Sequence, residues 1–483
     1  MNHLGQSLLA LSLATAAQGA DYFLSDAGDD QRDGIAPERA WRTLERVPVA
    51  RLRPGDRILL RGGDQFHGSL LLSVSGAPDQ PITVASFGTG RAAILPPPGI
   101  NGVTIRDAGH LVVRDLDLRG PGVGAVQDGC GLLLDAVGAR SVGIAITDVS
   151  CSDFPQHGIR LGAVAVDAGF ADVLIDRVAC HGNGQGGLGA WGPVSGTHYA
   201  FHRVVVRDSV FHGNRGLPAK RDNHSGNGII LGDCSDSVIE RCAAWGNGDL
   251  CNSAVGGPVG IWLCESDRSV IRGCVSFRNR TGAGVPDGGG FDLDGGCTRC
   301  VIEDCLSWRN DGAGYLLYQY KEAREFRGNV LRNCFSVGDG RARNNGGIYI
   351  GTERPGEVHE LDIQRNTVVI DGGPSLPAAL RVVSPVDAVR IHGNRFIALG
   401  GAELFNDAAL AGVTLTGNTW CAAAPRVLGA GLVQPLPPGE DLRGPPAGLA
   451  AGLPEVIDAA WCAALDVPGC GATALRRYGP APR

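Results

Sequence analysis

The chain has 483 residues, of which 74 are glycine, 28 proline and 15 cysteine; 43% are apolar and the formal charge is -7. Glycine without a strict Gly-X-Y period excludes collagen, and this much apolar surface at so low a charge excludes a disordered chain. The balance of 50 Asp and Glu against 43 Lys and Arg excludes nucleic acid as the main partner, because phosphate neutralisation needs a basic face. In chain order, residues 1–20 (MNHLGQSLLALSLATAAQGA) carry an apolar run from Leu8 to Ala17 and the small-residue pattern Ala17-Gln18-Gly19, which predicts a secretory signal peptide and an extracellular or periplasmic protein. No membrane span is expected after it.

Residues 21–99 read as an N-terminal cap with the first short strands. Their landmarks are Tyr22 and Ser25, then Trp41, Thr43 and Leu44, the turn Pro54-Gly55-Asp56 and the strand start Pro81-Ile82-Thr83. This order resembles the N-terminal cap of secreted pectate-lyase-like proteins.

Residues 100–421 repeat. The segments SVIERCAAWGN, SVIRGCVSFRN, CVIEDCLSWRN and NVLRNCFSVGD align on Cys242, Cys274, Cys305 and Cys334. Equivalent positions run back through Ser209, Val178, Val149 and Leu116 and forward through Asn366, Asn394 and Asn418, a spacing of about 30 residues that marks a solenoid. Each repeat holds two or three runs of four to five branched apolar residues separated by Gly, Asn, Asp and Ser, leaving no room for a helix of ten. The fold class is therefore all-β. A coil of this size with three strands is similar to the right-handed parallel β-helix of the pectate-lyase superfamily, and the resemblance covers essentially the whole mature chain. About eleven coils are expected, stacked at about 4.8 Å into a body of roughly 50 Å.

Five residues after the marker come Asn183, Asn214, Asn247, Asn279, Asn310, Asp339 and Asp371, expected as a structural ladder that satisfies turn backbone. The four aligned cysteines are expected to be a buried thiol stack. Cys297 and Cys300 form a Cys-x-x-Cys with no second pair at zinc spacing, while a disulfide among Cys234, Cys264 and Cys297 stays open. Residues 422–483 form a Pro/Gly/Ala-rich tail in which PEVIDAAWCAAL suits one short capping helix, with Cys462 and Cys470 able to staple it.

The candidate site comes from a second alignment: HGIRLG (157–162), NGIILG (227–232), VGIWLC (259–264), GGFDLD (289–294), AGYLLY (313–318) and GGIYIG (346–351). Alternation points Ile159, Ile229, Ile261, Phe291, Tyr315 and Ile348 inward. Two outward columns remain: Arg160, Ile230, Trp262, Asp292, Leu316, Tyr349 and Gly162, Gly232, Cys264, Asp294, Tyr318, Gly351. Asp292 and Asp294 thus stand together on an exposed face of a middle coil, with Cα atoms about 6.6 Å apart. Glu265 and Asp233 lie in turns below, and Gln319, Tyr320, Lys321 and Glu353 above. Glycines at 288–290, 295 and 296 would leave space for a ligand. Insertions 184–203 and 215–226 would wall a groove and bring Trp191, His198, His202, Lys220 and His224 to it.

Acids flanked by aromatic faces suit a sugar chain. The first expectation is a glycoside hydrolase with Asp292 and Asp294 as catalytic carboxylates and Glu265 as partner or substitute. Repulsion between the acids would raise one of them into the role of general acid. Trp262, Tyr318, Tyr349, Gln319, Lys321, Trp191 and His224 would bind substrate, with no metal or cofactor required. A polysaccharide lyase is the alternative, with Lys321 or Arg324 as base and calcium held by Asp292, Asp294 and Glu265. A third reading is a carbohydrate-binding or cell-surface solenoid without catalysis. The polygalacturonase motifs Asn-x-Asp, Asp-Asp, Gly-His-Gly and Arg-x-Lys and the pectate-lyase Arg-x-Pro-x-x-Arg are absent from the repeats, so the resemblance implies a secreted β-helix and a polysaccharide partner and transfers no catalytic residue. A monomer is expected.

Overall fold

The computed structural model describes residues 19–124, 128–343, 345–373, 375–406, 410–422, 427–428 and 431–435. The expected signal peptide lies outside the described residues except at its last two positions, and the expected tail helix with Cys462 and Cys470 lies wholly outside them. The described chain winds into a parallel β-helix. Each coil contributes one strand to each of three long sheets, and all the strand pairs between successive coils are parallel. One coil shows the order: residues 238–240 in the first sheet, 243–245 in the second and 259–264 in the third. The third sheet contains twelve strands, from Leu70–Leu72 to Glu403–Asn406, in line with the expected coil number. The cap region already belongs to the stack, since Arg57–Arg61, Gln65–His67 and Leu70–Leu72 open the three sheets' regular pairing.

The period of two decides what each strand buries. Ile229, Ile261, Phe291, Tyr315 and Ile348 align coil upon coil and are fully buried, as are Leu231, Leu263, Leu293, Leu317 and Ile350 two residues on. One core cluster runs from Leu24 to Trp420. Burying each aliphatic side chain stabilises by about 1.5–3 kcal/mol, so the continuous core is the main cohesive term.

The corners are held by ladders. Between the second and third sheets, the Asn183, Asn214, Asn247 and Asn279 carboxamides each donate to the next ladder member's Oδ1 at 2.9–3.0 Å while their backbone N–H groups donate to the same oxygen at 2.9–3.3 Å. Asp339 ends this run by accepting from Asn310. The four cysteines at 242, 274, 305 and 334 are buried thiols, and the Cys242 and Cys274 N–H groups donate to the sulfur one coil on. Cys234, Cys264 and Cys297 are free, so the open disulfide is absent: each thiol is buried in its own coil, and the Cys234 and Cys297 thiols donate to backbone carbonyls. The first-to-second sheet corner needs one left-handed residue per coil. Asp148, Arg177, Asp208 and Arg241 supply it with φ of 48–56°, and the strain is offset by ion pairs between coils, Arg177 to Asp148 at 2.6 Å and Arg241 to Asp208 at 2.8 Å.

Candidate active site

The third sheet's register places the first outward column as read: Ile230, Trp262, Asp292, Leu316 and Tyr349 are successive partners, with Arg381 next. Arg160 lies four coils below Asp292, because Gly189 intervenes between Arg160 and Ile230. The second column includes Gly232, Cys264, Tyr318 and Gly351, with Asp294 directly after its strand.

Asp292 and Asp294 are therefore brought together, but in a different setting from the exposed face expected. Asp292 is 3% exposed and its Oδ1 is buried with no hydrogen-bond partner. Burial, the Asp294 charge and then the Asp287 charge push its carboxyl well above the usual carboxylate range. Asp294 is half-buried and accepts from the Gly295 N–H at 2.8 Å. Burial holds it up to about 7, with Asp287, Glu265 and Glu353 adding repulsion. Elsewhere on the solenoid, carboxylates have arginine partners: Asp176 with Arg207, Glu240 with Arg272, Asp267 with Arg299 and Glu303 with Arg332. The pair at 292 and 294 has no such ion pair.

Sequence reasoning missed Asp287. It sits just before the strand, accepts from the Gly257 N–H at 2.8 Å, and has its own carboxyl raised by burial. Burial chiefly raises Tyr318 and Tyr349, and the Asp287 charge adds to the rise in both, so a third acid lies near the same space. The only available signal was its position inside the glycine-rich run ahead of Asp292.

Several expected site residues take other roles. Glu265 is 2% exposed and fully engaged: the Tyr320 hydroxyl donates to Oε1 at 2.8 Å and the Arg324 N–H to Oε2 at 3.2 Å. It is a buried linchpin, not a spare catalytic carboxylate. Gln319 is likewise committed, accepting from Gly296 N–H at 3.0 Å and donating to the Arg324 carbonyl at 2.9 Å. Trp262 is 4% exposed, its Nε1 donates to Asn227 Oδ1 at 3.2 Å, and His224 meets its ring edge-on at 5.2 Å. His224, from the 215–226 insertion, packs against the indole, so Trp262 is no open sugar platform.

The glycines also differ from the expectation. A Cβ at Gly295 would lie 2.4 Å from the Tyr320 ring, one at Gly296 would lie 2.3 Å from Glu265, and one at Gly290 would lie 2.2 Å from Ser307 Oγ. Their missing side chains are filled by neighbours rather than left open. Tyr318 and Tyr349 remain partly accessible beside the acids, and Arg381 stands 5.9 Å from the Tyr349 ring centroid. Lys321 is exposed on the next turn, where its N–H donates to Glu353. Trp191, expected on an insertion loop, closes the strand Gly186–Trp191 and is 48% exposed.

Of the calcium ligands expected for a lyase, Glu265 has both oxygens accepting hydrogen bonds, from Tyr320 and from Arg324. Among the described residues no group of three acids, histidines or cysteines is arranged to hold a metal ion.

The family model for the right handed beta helix region matches residues 130–335. No curated protein matches the sequence. Among solved structures, the GH136 lacto-N-biosidase from Eubacterium ramulus in its selenomethionine form is similar over 83% of this chain and 67% of its own, at 17% identity and a TM-score of 0.59. Its native form gives the same coverage at 16% identity and a TM-score of 0.56. A pectate lyase, Pel9A, is similar over 77% of this chain and 78% of its own at 13% identity and a TM-score of 0.40. The fold is thus the right-handed parallel β-helix read from the repeats.

Proposed function

We propose that the protein is a glycan-cleaving enzyme, most simply a glycoside hydrolase, with Asp294 as the proton donor and Asp292 as the second carboxylate. The observation that carries this reading is the unpaired couple itself: two neighbouring carboxyls in mid-stack, both raised, one with an orphaned oxygen, on a solenoid where acids such as Asp176 and Glu240 are paired with arginine. A carboxyl that titrates near 7 still holds its proton in about half of the molecules at neutral pH and can protonate a leaving oxygen. In the form of the pair in which Asp292 is already ionised, its carboxylate would stabilise the positive charge that develops on the sugar, and its low-dielectric setting would strengthen that attraction. Tyr318 and Tyr349 offer ring faces and hydroxyls to the sugar. The likeness in fold to a GH136 lacto-N-biosidase supports a glycan substrate.

The lyase reading is weaker on geometry. Arg324, its candidate base, spends its guanidinium on the Asp233 and Glu265 carboxylates and three backbone carbonyls and is 10% exposed, leaving Lys321 alone for the role.

The test is a panel of neutral and uronate-containing glycans, with product chemistry as the readout. New reducing ends without unsaturated uronate support hydrolysis. Asp292→Asn and Asp294→Asn should each lower turnover by about a thousandfold, the scale of losing a general acid or a charge-stabilising carboxylate. Unsaturated products, or full turnover in both variants, would overturn the assignment.

A further inference from the structure

Trp191 has a defined relation to the acid pair. It ends the strand Gly186–Trp191, and the register carries its position to Gly232, then Cys264, then the coil of Asp294. Three coils at about 4.8 Å place it about 14 Å from Asp294 along the stack, the span of a short run of pyranose rings. Between the two, Gly232 has no side chain and Cys264 is 1% exposed, so the column is a low floor. The indole leans over that floor, since a Cβ on Gly232 would come 2.7 Å from its Cε3. It is the most exposed aromatic on this floor, at 48%.

The tryptophan is also held at its place. The chain after it, residues 192–200, is tied down by Arg324 from a turn four coils away. The guanidinium Nε donates to the Gly196 carbonyl at 2.8 Å, Nη2 to the His198 carbonyl at 2.5 Å and to Asp233 Oδ1 at 2.8 Å, and Nη1 to the Glu265 carbonyl at 3.0 Å. The same group lies 4.4 Å from the Tyr199 ring centroid. Asp233 completes the clamp by accepting from the Ala200 N–H at 3.2 Å, and a Cβ on Gly192 would lie 2.5 Å from its Oδ2. One buried cation thus fixes the Trp191 loop to the coils that carry Glu265 and, through Tyr320 and Gly295, Asp294.

We infer that Trp191 is the stacking platform of a distal sugar subsite, set at a fixed three-coil distance from the acid pair by the Arg324 clamp, so that the protein selects glycan chains long enough to span both. This rests on the reading of Asp292 and Asp294 as a glycan-cleaving pair, and it adds the direction of the bound chain, along the solenoid axis toward the N-terminal coils. Trp191 is a binding residue; Arg324 acts through the loop and is a positioning residue.

The experiment uses the full chain carrying Asp294→Asn, titrated with cello-, chito- and galacturono-oligosaccharides from disaccharide to hexasaccharide, with tryptophan fluorescence and calorimetry as readouts. Within the series that binds, the hexasaccharide should bind about tenfold or more tighter than the disaccharide, as expected for one added aromatic stack. Trp191→Ala should bring that ratio to about one. Arg324→Ala should shrink it, and Arg324→Lys should not restore it, because an ammonium cannot bridge four acceptors in a fork; circular dichroism and Tm confirm that each variant folds. A length ratio that survives Trp191→Ala overturns the inference while leaving the acid pair intact. Length-dependent binding lost with Trp191, but no product from the Asp294-containing chain on the same sugars, sustains the subsite and removes the catalytic reading. Absence of binding in all series overturns both.

Discussion

A carboxyl that titrates near neutrality is a burden on the fold that holds it. Asp294 is held up to about 7 against an ordinary value of 3.8. Between those values the unfolded chain ionises freely while the native chain keeps its proton. The resulting destabilisation is absent below about pH 4, grows as pH rises, and is complete above about pH 7. The gap corresponds to a ceiling of ~4 kcal/mol, and the partial exposure of Asp294 lowers the expected effect to ~2 kcal/mol. Asp294→Asn should therefore be more stable than the parent by about that amount at pH 8 and equal to it at pH 4, as urea unfolding at the two pH values would show. The parent's kcat/KM should decline above pH 7 as the donor loses its proton. A variant that gains no stability at pH 8 would mean that Asp294 is solvated or paired and is no poised acid. The residues of this pair were legible in the sequence because strand alternation fixes which side chains share a column. Their burial was not, since it is set by turn side chains whose contacts follow no period, such as Tyr320 against Gly295. Arg324 was visible only as a candidate base, and its clamp role was hidden for the same reason: its partners at 196, 198, 233 and 265 lie far off in sequence and meet it only through the stacking of turns.

At the scale of the strand and its corner, glycine does two jobs that composition alone merges. In turns it supplies left-handed φ, as at Gly246 with φ 61° and Gly273 with φ 58°. At the start of the third sheet's strands it does something else: Gly260, Gly290 and Gly314 face Ser276, Ser307 and Ser336 across the interior, where a Cβ would lie 1.9, 2.2 and 2.3 Å from the serine oxygens. Those serines in turn reach the ladder, Ser307 accepting from Asn310 Nδ2 at 3.0 Å. Two of the four near-copies, those at Ser276 and Ser307, contain both the serine and the asparagine, and the Asn positions recur through the repeats, so the ladder was visible in sequence. The reason for glycine opposite it needed the cross-section of the coil. Gly290→Ala should cost about 1–3 kcal/mol by overpacking, and adding Ser307→Ala should recover part of that loss, because Asn310 keeps its bonds to Ser276 and Asp339. Thermal unfolding of the single and double variants checks this. Equal losses in both would place the strain on the backbone rather than on the hydroxyl.

Across the whole molecule, the strands of each coil pair only with those of the coils next to it, with the Arg324 clamp as a longer-range tie, and the core cluster is continuous from Leu24 to Trp420. Nearest-neighbour coupling with no break makes the middle coils open last, because opening there exposes two apolar interfaces while opening at an end exposes one. The cysteines are natural reporters of this order. All thirteen of those described are free and buried, and burial pushes Cys234 and Cys264 up and Cys130 to about 11; with every sulfur shielded from solvent, none should react with a thiol reagent in the folded state. Cys421 lies in the last of the regular coils, while Cys242, Cys274, Cys305 and Cys334 form the mid-stack ladder. In pulsed labelling through a urea gradient with peptide mass spectrometry, Cys421 should become reactive at the lowest denaturant concentration, Cys130 and Cys151 next, and the ladder last, as one step. The acid pair at 292 and 294 lies between two ladder cysteines in sequence, so activity should persist through the loss of Cys421 protection and vanish with that of Cys274 and Cys305. Simultaneous labelling of every cysteine would show instead that the core's continuity makes the solenoid a single cooperative unit, with the acid pair no more protected than the ends.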